Sequence, residues 1–493
     1  MFSLARRQAL RRHAALLATL VLVAAVPTAF VPQATGLEFI PLIAVAPEEP
    51  QTNGSPAACA TPPSDLIHCY TPNEVRAAYG IDKLHGEGIT GKGQTIVLID
   101  AYGSPTALSD LQTFSTTFGL PGPDLTIIHP DGTPTFSKSM HGVQAGWAFE
   151  TSLDLQWAHA IAPDAKLVLI AANPAETLGV QGFPSMFKGE DLAVKMFPGS
   201  VFSQSFAVTE QSFNAAAAVQ VAKFEDVYRH AAANGITILS SSGDFGTAGV
   251  DKQLRQFPFP TAVWPSSDPL VTSAGRTWLQ SGWRWAPTVS AATFYGCLAA
   301  DTSFNTCAAS FLSFISTPGL STEAVWREDW LPAATGGARS ALFTTPVYQS
   351  AVSASLLAGR RGLPDLSWNA AVDGGVLVYT SFPGPRVGWH IVGGTSASAP
   401  QLAATIALAN QLRHDHGKGP IGQLNPVLYT LPLTDFNDIV PLTFGTGAEA
   451  TTLNNNELFG SGVSGMTTST GWDLTTGFGS PKAYEFVHDL ATR

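Results

Sequence analysis

Charged residues are scarce in this sequence. Lys, Arg, Asp and Glu make up 13% of the 493 residues, against about 25% in a typical soluble protein. Acidic residues outnumber basic ones by 37 to 26, and the net charge of −11 gives no support to nucleic-acid binding. A surface with few charges gains little net charge in acid, which limits self-repulsion. The composition is therefore compatible with an acid-tolerant protein.

Long hydrophobic runs are missing beyond the N-terminus. Four arginines precede an apolar run over 14–26 that ends in small residues: Arg6, Arg7, Arg11 and Arg12. This pattern predicts a signal peptide over 1–29, because the run is too short for an ordinary membrane span; an uncleaved anchor is the alternative. We expect a secreted protein with no membrane contact after cleavage, a linker or short pro-segment over 30–69, and one domain over 70–493.

Cysteines are few, and they occur as two close pairs. Cys59 and Cys69 lie ten positions apart, and so do Cys297 and Cys307. In an exported chain this spacing predicts two local disulfides, with free buried thiols as the alternative. The chain has no C-x-x-C pair, which argues against a cysteine–zinc site.

Apolar strands alternate with helices along most of the chain. Strands are predicted over 94–100, 166–171, 200–206, 236–241, 269–274 and 376–380, and helices over 147–160, 212–234 and 397–412. A further short helix, capped by Thr71 with Pro72 in its first turn, is predicted before Gly80. This order favours an α/β fold with a mostly parallel central sheet and helices on both faces. Functional side chains are then expected at the carboxyl ends of the strands. The pattern weakens over 278–337, where we expect a surface excursion.

Ser396 is the first candidate for a catalytic group. It stands in GGTSASAP, a block of small residues that opens a predicted helix. A serine hydroxyl is a poor nucleophile until a neighbouring base takes its proton. No histidine motif supplies such a base convincingly, so the base must be sought elsewhere.

A pair of carboxylates provides an alternative base. Glu150 and Asp154 lie four residues apart in WAFETSLDLQWAHAIA, which puts both on one face of a helix. Two carboxyl groups in an apolar setting do not ionise independently, and one can shuttle a proton. The same spacing also occurs on solvated helix faces, which is the structural alternative.

Asp244 is the third candidate. It follows the predicted strand 236–241 in SSSGDFG, at the edge of a parallel sheet where ligands bind. A protonated aspartic acid there can donate a hydrogen bond to a developing oxyanion. A turn aspartate that caps backbone amides is the alternative.

With these motifs, the chain resembles the sedolisin family, the serine-carboxyl peptidases with a subtilisin-like fold. The resemblance runs from about Tyr70 to the C-terminus and includes YTPNEVRAAYG, GKGQTIVLIDAYGSPTALSDL, ETSLDLQWAHAIAP, SSSGDFG, ATGGARSALF, RGLPDLS, GGTSASAP and STGWDLTTGFG. It implies a secreted endopeptidase in which Ser396 is the nucleophile, Glu150 the general base and then acid, and Asp154 the group that orients Glu150. Asp244 would serve the oxyanion. A glutamate base works in acid, where imidazole is charged and idle. We therefore expect a monomer that hydrolyses protein or peptide substrates at acidic pH.

The resemblance also implies one structural Ca²⁺ site near the C-terminus. Its ligands would be the carboxylates of Asp438 and Asp473 and the carbonyls of Ile439, Ser469 and Gly471, with water completing the six to eight oxygens that calcium takes. From the residues alone, the two aspartates are equally typical of ordinary turns.

The sequence departs from the family in two places. Fewer than a hundred residues precede the strand at Gln94, so we expect no complete folded propeptide. The segment SQSFA over 203–207 stands where relatives often have Ser-x-Ser-Trp-Gly beside the substrate, so the subsite preference of relatives is not carried over.

Two rival functions remain open at this stage. One is a subtilisin-type protease that uses Asp100, His141 and Ser396, although the second histidine of the usual His-Gly-Thr-His block is absent. The other is a secreted binding protein without catalytic activity on the same scaffold, because a fold does not dictate a function.

Overall fold

The computed structural model describes residues 29–30, 43–44 and 69–493, except 138–141, 175–179, 214–216, 252, 254, 281–282, 288–311, 317–321, 329–332, 383–387, 445–450 and 459. Most of the predicted signal and linker, His141, and the cysteine pair at 297 and 307 lie outside these residues. Cys69 is disulfide-bonded. Because the other three cysteines lie outside the described residues, its pairing with Cys59 stays a prediction.

Eight strands form the central sheet. They are β1 (Thr95–Ala101), β2 (Leu125–Ile128), β3 (Lys166–Ala172), β4 (Val201–Gln204), β5 (Thr237–Ser241), β6 (Thr272–Leu279), β7 (Glu323–Val325) and β8 (Leu366–Asn369). Their order is β7-β6-β5-β4-β1-β3-β2, with β8 paired to β6. Every pair is parallel except β6 with β7. The predicted mostly parallel sheet is therefore confirmed.

One predicted strand of this sheet is wrong. The segment predicted over 376–380 is a strand, Gly375–Thr380, but it lies in a separate small sheet and pairs antiparallel with Gly388–Val392. An apolar run fits any buried strand, and periodicity alone does not say which sheet the strand joins.

Ten helices lie in the described residues. They are α1 (Pro72–Tyr79), α2 (Ile81–Gly86), α3 (Ala107–Phe118), α4 (Val143–Ile161), α5 (Phe183–Met196), α6 (Ala217–Ala233), α7 (Ala354–Leu357), α8 (Thr395–Asp415), α9 (Asn425–Leu428) and α10 (Ala483–Thr492). The predicted cap of α1 is confirmed, because Thr71 and Glu74 form a reciprocal capping box. The sequence pattern missed six of these helices: α2, α3, α5, α7, α9 and α10.

Short elements complete the described chain. The two-residue strands are Ala29–Phe30, Ile43–Ala44, Cys69–Tyr70, Val208–Thr209, Val263–Trp264, Arg327–Glu328, Ala333–Ala334, Phe436–Asn437 and Ser480–Pro481. The longer ones are Trp283–Pro287, Leu312–Ser316, Ala338–Thr344, Arg360–Leu363, Leu442–Phe444 and Thr451–Leu453. Turns of 3₁₀ helix cover Glu210–Ser212, Val347–Gln349 and Leu433–Asp435.

The central strands are apolar on both faces because a core lies on each side of the sheet. On β1, Ile96 and Leu98 belong to the core under α4 and α8. The alternate residues Val97 and Ile99 belong to the core under α5 and α6. A strand covered on both faces has a continuous hydrophobic run, as parallel sheets generally do.

Helix α4 is enclosed on every side. It packs against α8, α3, β1 and the strand Gly375–Thr380. The indole N–H of Trp157 donates to the carbonyl of Leu377 at 2.8 Å, and the Gln156 side chain bonds the backbone of Tyr379. All residues over 145–161 are buried as a result. Any ionisable side chain on this helix is thereby removed from water.

Within the described residues, no helix combines the length and the apolar character that crossing a bilayer requires.

The segment 333–337 holds the turn that follows β5. The amide of Ala334 donates to the carbonyl of Asp244, and the amide of Gly336 donates to that of Gly243 at 2.7 Å. A Cβ on Gly336 would lie 1.9 Å from the carbonyl oxygen of Ser242. A glycine is therefore required here by close approach of two backbones.

We expect Gly336→Ala to lower the free energy of unfolding by about 3 kcal/mol. This value is at the upper end of the range for overpacked substitutions, because the atom that the new methyl group would meet belongs to the backbone and cannot easily move. Urea unfolding measures this. The control is Gly419→Ala, where a Cβ would meet nothing within 4 Å. Equal stability of the two variants would contradict the assigned close approach.

Candidate active site

Ser396 lies in the first turn of α8, beside the carboxyl ends of the central strands. The preceding Gly394 has φ +128°, a conformation that favours glycine. Ser396 is 6% exposed, and the residues that follow it in the helix are buried as far as Leu412. Its side chain is thus fixed at the start of a rigid, buried helix.

Glu150 and Asp154 are both 0% exposed, so the solvated helix face considered above is excluded. Burial, followed by the charge of Asp100, raises the pKa of Glu150 well above its usual value. The hydroxyls of Ser396 and Ser205 lie near enough to lower that pKa in part. Neither oxygen of Glu150 completes a hydrogen bond within the described residues. This carboxyl group therefore faces Ser396 with its hydrogen-bonding capacity unused.

Asp154 sits one helical turn further along α4. One of its oxygens accepts a hydrogen bond from the hydroxyl of Ser205, which follows β4, at 3.0 Å. Burial, with smaller contributions from Asp100 and Glu150, raises the pKa of Asp154 well above its usual value. The two predicted carboxyl groups therefore share one dehydrated environment and titrate as a coupled set.

Asp100 is a third carboxyl group in this environment. It stands near the end of β1, is 0% exposed, and accepts a hydrogen bond from Thr151 at 2.9 Å. Burial raises the pKa of Asp100 to about 7. The interaction between the two side chains lowers the pKa of Asp100 and raises that of Asp154, so the two carboxyl groups titrate together. Asp100 thus belongs to a carboxyl cluster with Glu150 and Asp154. Its supposed partner in a histidine triad, His141, lies outside the described residues.

Asp244 is bound to the start of α8. Its Oδ1 accepts the backbone amide of Thr395 at 3.0 Å and the hydroxyl of Thr395 at 2.7 Å. That hydroxyl also accepts the amide of Gly243 at 3.2 Å. The turn after β5 and the first turn of α8 are thereby joined, so Asp244 lies beside Ser396. Asp244 also forms an ion pair with Arg276 of β6.

A small pocket opens next to Asp244. Its walls come from the segment after β4, the turn after β5 and the loop before β6: Ala207, Val208, Thr209, Ser242, Gly243, Asp244, Phe245, Gly246, Gly249, Val250, Thr261 and Val263. The lining consists of small and apolar side chains apart from Asp244, the threonines and Ser242. Ala207 belongs to the SQSFA segment in which the sequence departs from the family.

Hydrogen bonds connect the two predicted calcium-binding aspartates to residues of one loop. The amide of Gly471 donates to Asp438 at 3.0 Å, and the amide of Ser469 donates to Asp473 at 2.8 Å. Ile439 follows Asp438 directly and is 1% exposed. The other oxygen of Asp473 accepts backbone amides of a turn, and burial raises the pKa of Asp473 to about 6. No group of three or more His, Cys, Asp or Glu side chains in the described residues is arranged as a metal site, so a site here depends on backbone carbonyls.

Sequence reasoning missed two polar partners in this region. Ser205 carries no motif signal of its own before its contact with Asp154 is known. Arg276 does carry one, because a charged residue inside the apolar strand TSAGRTWL is rarely buried without a partner.

These features define a class: an α/β protein of subtilisin-like fold with a serine and buried carboxyl groups at one edge of its sheet. The Pseudomonas sedolisin structure, complexed with two molecules of pseudo-iodotyrostatin, superimposes with a TM-score of 0.63 at 23% identity, covering 87% of this chain and 99% of that one. This likeness shows the fold.

Sequence comparison gives the family. Kumamolisin of Bacillus sp. (strain MN-32) is 30% identical over 427 residues, which cover 85% of this chain and 63% of the relative. Tripeptidyl-peptidase 1 of Dictyostelium discoideum and sedolisin of Pseudomonas sp. (strain 101) are each 28% identical, over 80% and 79% of this chain and 54% and 57% of the relatives. No family model matches the chain. The chain belongs to the sedolisin family, and it spans between about half and two thirds of the length of these curated relatives.

Replacing Glu150 allows its effect on the free energy of unfolding to be measured independently of any activity. A carboxyl whose pKa is raised on folding is fully tolerated below its unfolded value of about 4.3, and it destabilises the fold increasingly as pH rises above that value. We expect Glu150→Gln to raise the free energy of unfolding at pH 7 by about 1–3 kcal/mol and to have little effect at pH 3.

Urea unfolding at pH 3, 5 and 7 measures the difference. Glu485→Gln, at an exposed position of α10, is the control. A gain of equal size at all three pH values would contradict the buried, protonated state of Glu150.

Proposed function

We propose that this chain is an endopeptidase that hydrolyses peptide bonds through an acyl-enzyme on Ser396 at acidic pH. The observation that carries the proposal is the position of Glu150. It is a fully buried carboxyl, near enough to Ser396 for the hydroxyl to lower its pKa, and neither of its oxygens completes a hydrogen bond within the part of the chain that the structure describes. A buried carboxyl with unused oxygens costs stability, and a catalytic role accounts for that cost.

The proposed reaction has two halves. Ser396 Oγ attacks the peptide carbonyl while Glu150 takes the hydroxyl proton, and Glu150 then returns that proton to the leaving amine. Water repeats the sequence on the ester and regenerates Ser396. Asp154 orients Glu150 from the next turn of α4, and its hydrogen bond from Ser205 fixes its own position. Asp244 serves the oxyanion, with support from its tie to the helix that carries Ser396.

Acidic conditions suit these groups. The coupled carboxyls Glu150, Asp154 and Asp100 have raised pKa values, so the cluster retains protons over a wide range of pH. The mechanism needs at least one of those protons, and it proceeds from the fraction of molecules in which Glu150 is ionised and can accept another. We propose a pH range of about 3–5 for activity.

The pocket beside Asp244 supports a proposal about the substrate. A side chain next to the scissile bond would enter this pocket, because the carbonyl of that residue would lie at Ser396 and Asp244. Its apolar walls favour an uncharged side chain. The N-terminal pattern further supports a secreted protein, since a basic and then apolar leader is typical of exported chains.

The catalytic proposal is tested with Ser396→Ala and Glu150→Ala on a peptide library. We expect each to lower kcat/KM at pH 4 by at least about 10⁴, because members of a catalytic set act as a unit. The control is Ser398→Ala, whose hydroxyl lies in the same helical turn but donates to the carbonyl of Gly275 at 2.8 Å.

Full activity in a folded Ser396→Ala protein would overturn the mechanism. A fluorophosphonate that fails to label Ser396 in acid would favour the binding protein without catalytic activity instead.

We also propose that the loop around Asp438 and Asp473 binds one structural Ca²⁺. Two carboxylates and the carbonyls of Ile439, Ser469 and Gly471 supply the hard oxygen ligands that calcium prefers. Hydrogen bonds already join Asp438 to Gly471 and Asp473 to Ser469. The donor set therefore fits calcium, and the ion would relieve the cost of burying Asp473.

Calcium is expected to stabilise the protein by about 2.7 kcal/mol at a concentration near 100 times Kd. Melting temperatures with Ca²⁺ and with a chelator measure the effect. Asp438→Asn should remove the difference, whereas Asp415→Asn, at an exposed position of α8, should keep it. A melting temperature that calcium leaves unchanged in the wild type would contradict the site.

A further inference from the structure

Arg276 is a fully buried cation next to the proposed active site. Its side chain is 0% exposed and forms an ion pair with Asp244. Its guanidinium carbon lies 4.1 Å from the centre of the Trp326 ring, a distance at which a cation and an aromatic face attract. Burial lowers the pKa of Arg276 to about 10, which leaves it charged at any acidic or neutral pH.

The bonding of Arg276 differs from that of the other fully buried arginine in the described residues. Arg361 bonds through both terminal nitrogens, to Asp365 and to the carbonyl of Gly362. Arg276 uses one terminal nitrogen, on Asp244, while its Nε and its other terminal nitrogen have no partner within the described residues. A buried guanidinium with two donor nitrogens unused lowers the stability of the fold. A structural role alone does not account for that cost.

Carboxyl groups face Arg276 from three different elements. Asp244 follows β5, Glu150 lies on α4, and Glu328 lies on the strand Arg327–Glu328, and all three interact electrostatically with the guanidinium. Glu328 is already bonded to the Trp326 indole and to the amides of Val372 and Asp373. Glu150 also interacts electrostatically with Asp100 and Asp154. Arg276 is therefore a positive charge that acts on both carboxyls next to Ser396.

We propose that Arg276 is a positioning residue that extends the pH range of peptidase activity toward acid. The inference rests on the proposed function. A positive charge stabilises the ionised form of each carboxyl group that it faces. Glu150 is thus able to accept the Ser396 proton at a lower pH. The acid limit of the active range therefore lies at a lower pH than it would without Arg276.

The test compares kcat/KM from pH 2 to pH 8 in the wild type, Arg276→Met and Arg276→Lys. In Arg276→Met we expect the acid limb of the profile to move up by about one pH unit, as for a unit charge several ångströms away. Arg276→Lys keeps the charge and should keep the acid limb within about 0.3 unit. Arg229→Met, an exposed position on α6, changes the net charge equally and should move neither limb.

Two results would overturn the proposal. One is a uniform loss of kcat/KM at every pH in Arg276→Met with an unmoved acid limb, which is what a structural role produces. The other is a displaced profile in Arg276→Lys, which also serves if Arg276→Met does not fold. Absence of Ser396-dependent hydrolysis in the wild type would instead overturn the proposed function. Protonation of Glu150 can also be followed without an activity assay, from the infrared band of its protonated carboxyl, which Glu150→Gln identifies by removing it. We expect the pH at which this band disappears to differ by about one pH unit between the wild type and Arg276→Met.

Discussion

The dehydration of three carboxyl groups by one enclosed helix is the constraint on which the site depends. Asp100, Glu150 and Asp154 have no exposed surface, because α4 is covered by α8, by α3 and by the strand Gly375–Thr380. In such an environment each negative charge is unfavourable, and each additional charge is more so. The cluster therefore holds protons that solvated carboxyls would release, which is the property that the proposed proton transfer with Ser396 requires.

The sheet brings the other parts of the site to this cluster. Asp100 stands at the end of β1, Ser205 follows β4 and Asp244 follows β5. Since these strands are parallel and adjacent, their carboxyl ends meet at one edge. Helix α8 begins at the same edge, and Thr395 bonds Asp244 directly. The distance between Ser396 and the carboxyls is thus set by strand pairing and by the start of one helix.

Part of this arrangement can be predicted from the sequence, and part cannot. Ser396 and Asp244 could be identified because each follows a local signal, a run of small residues or a turn after an apolar strand. The sequence suggests Asp100 only as a member of a histidine triad. Its contact with Asp154 joins residues that are 54 positions apart, and such a contact leaves no local pattern. The strand at 376–380 was assigned to the wrong sheet for the same reason: pairing is tertiary, whereas hydrophobic runs are local.

The proposed function and the stability of the fold favour the same range of pH. Buried carboxyls outside the site also have raised pKa values, Glu190 to about 8 and Asp268 to about 7, in both cases through burial. A carboxyl of this kind stays protonated in the folded protein, and it destabilises the fold once the pH exceeds the pKa that it has in the unfolded chain. The free energy of unfolding therefore declines as pH rises from about 4 toward 8. With only 13% charged residues, self-repulsion in acid opposes this trend weakly. The charge that Glu150 would carry in the proposed mechanism is the exception, and the buried guanidinium of Arg276 would help the fold to tolerate it.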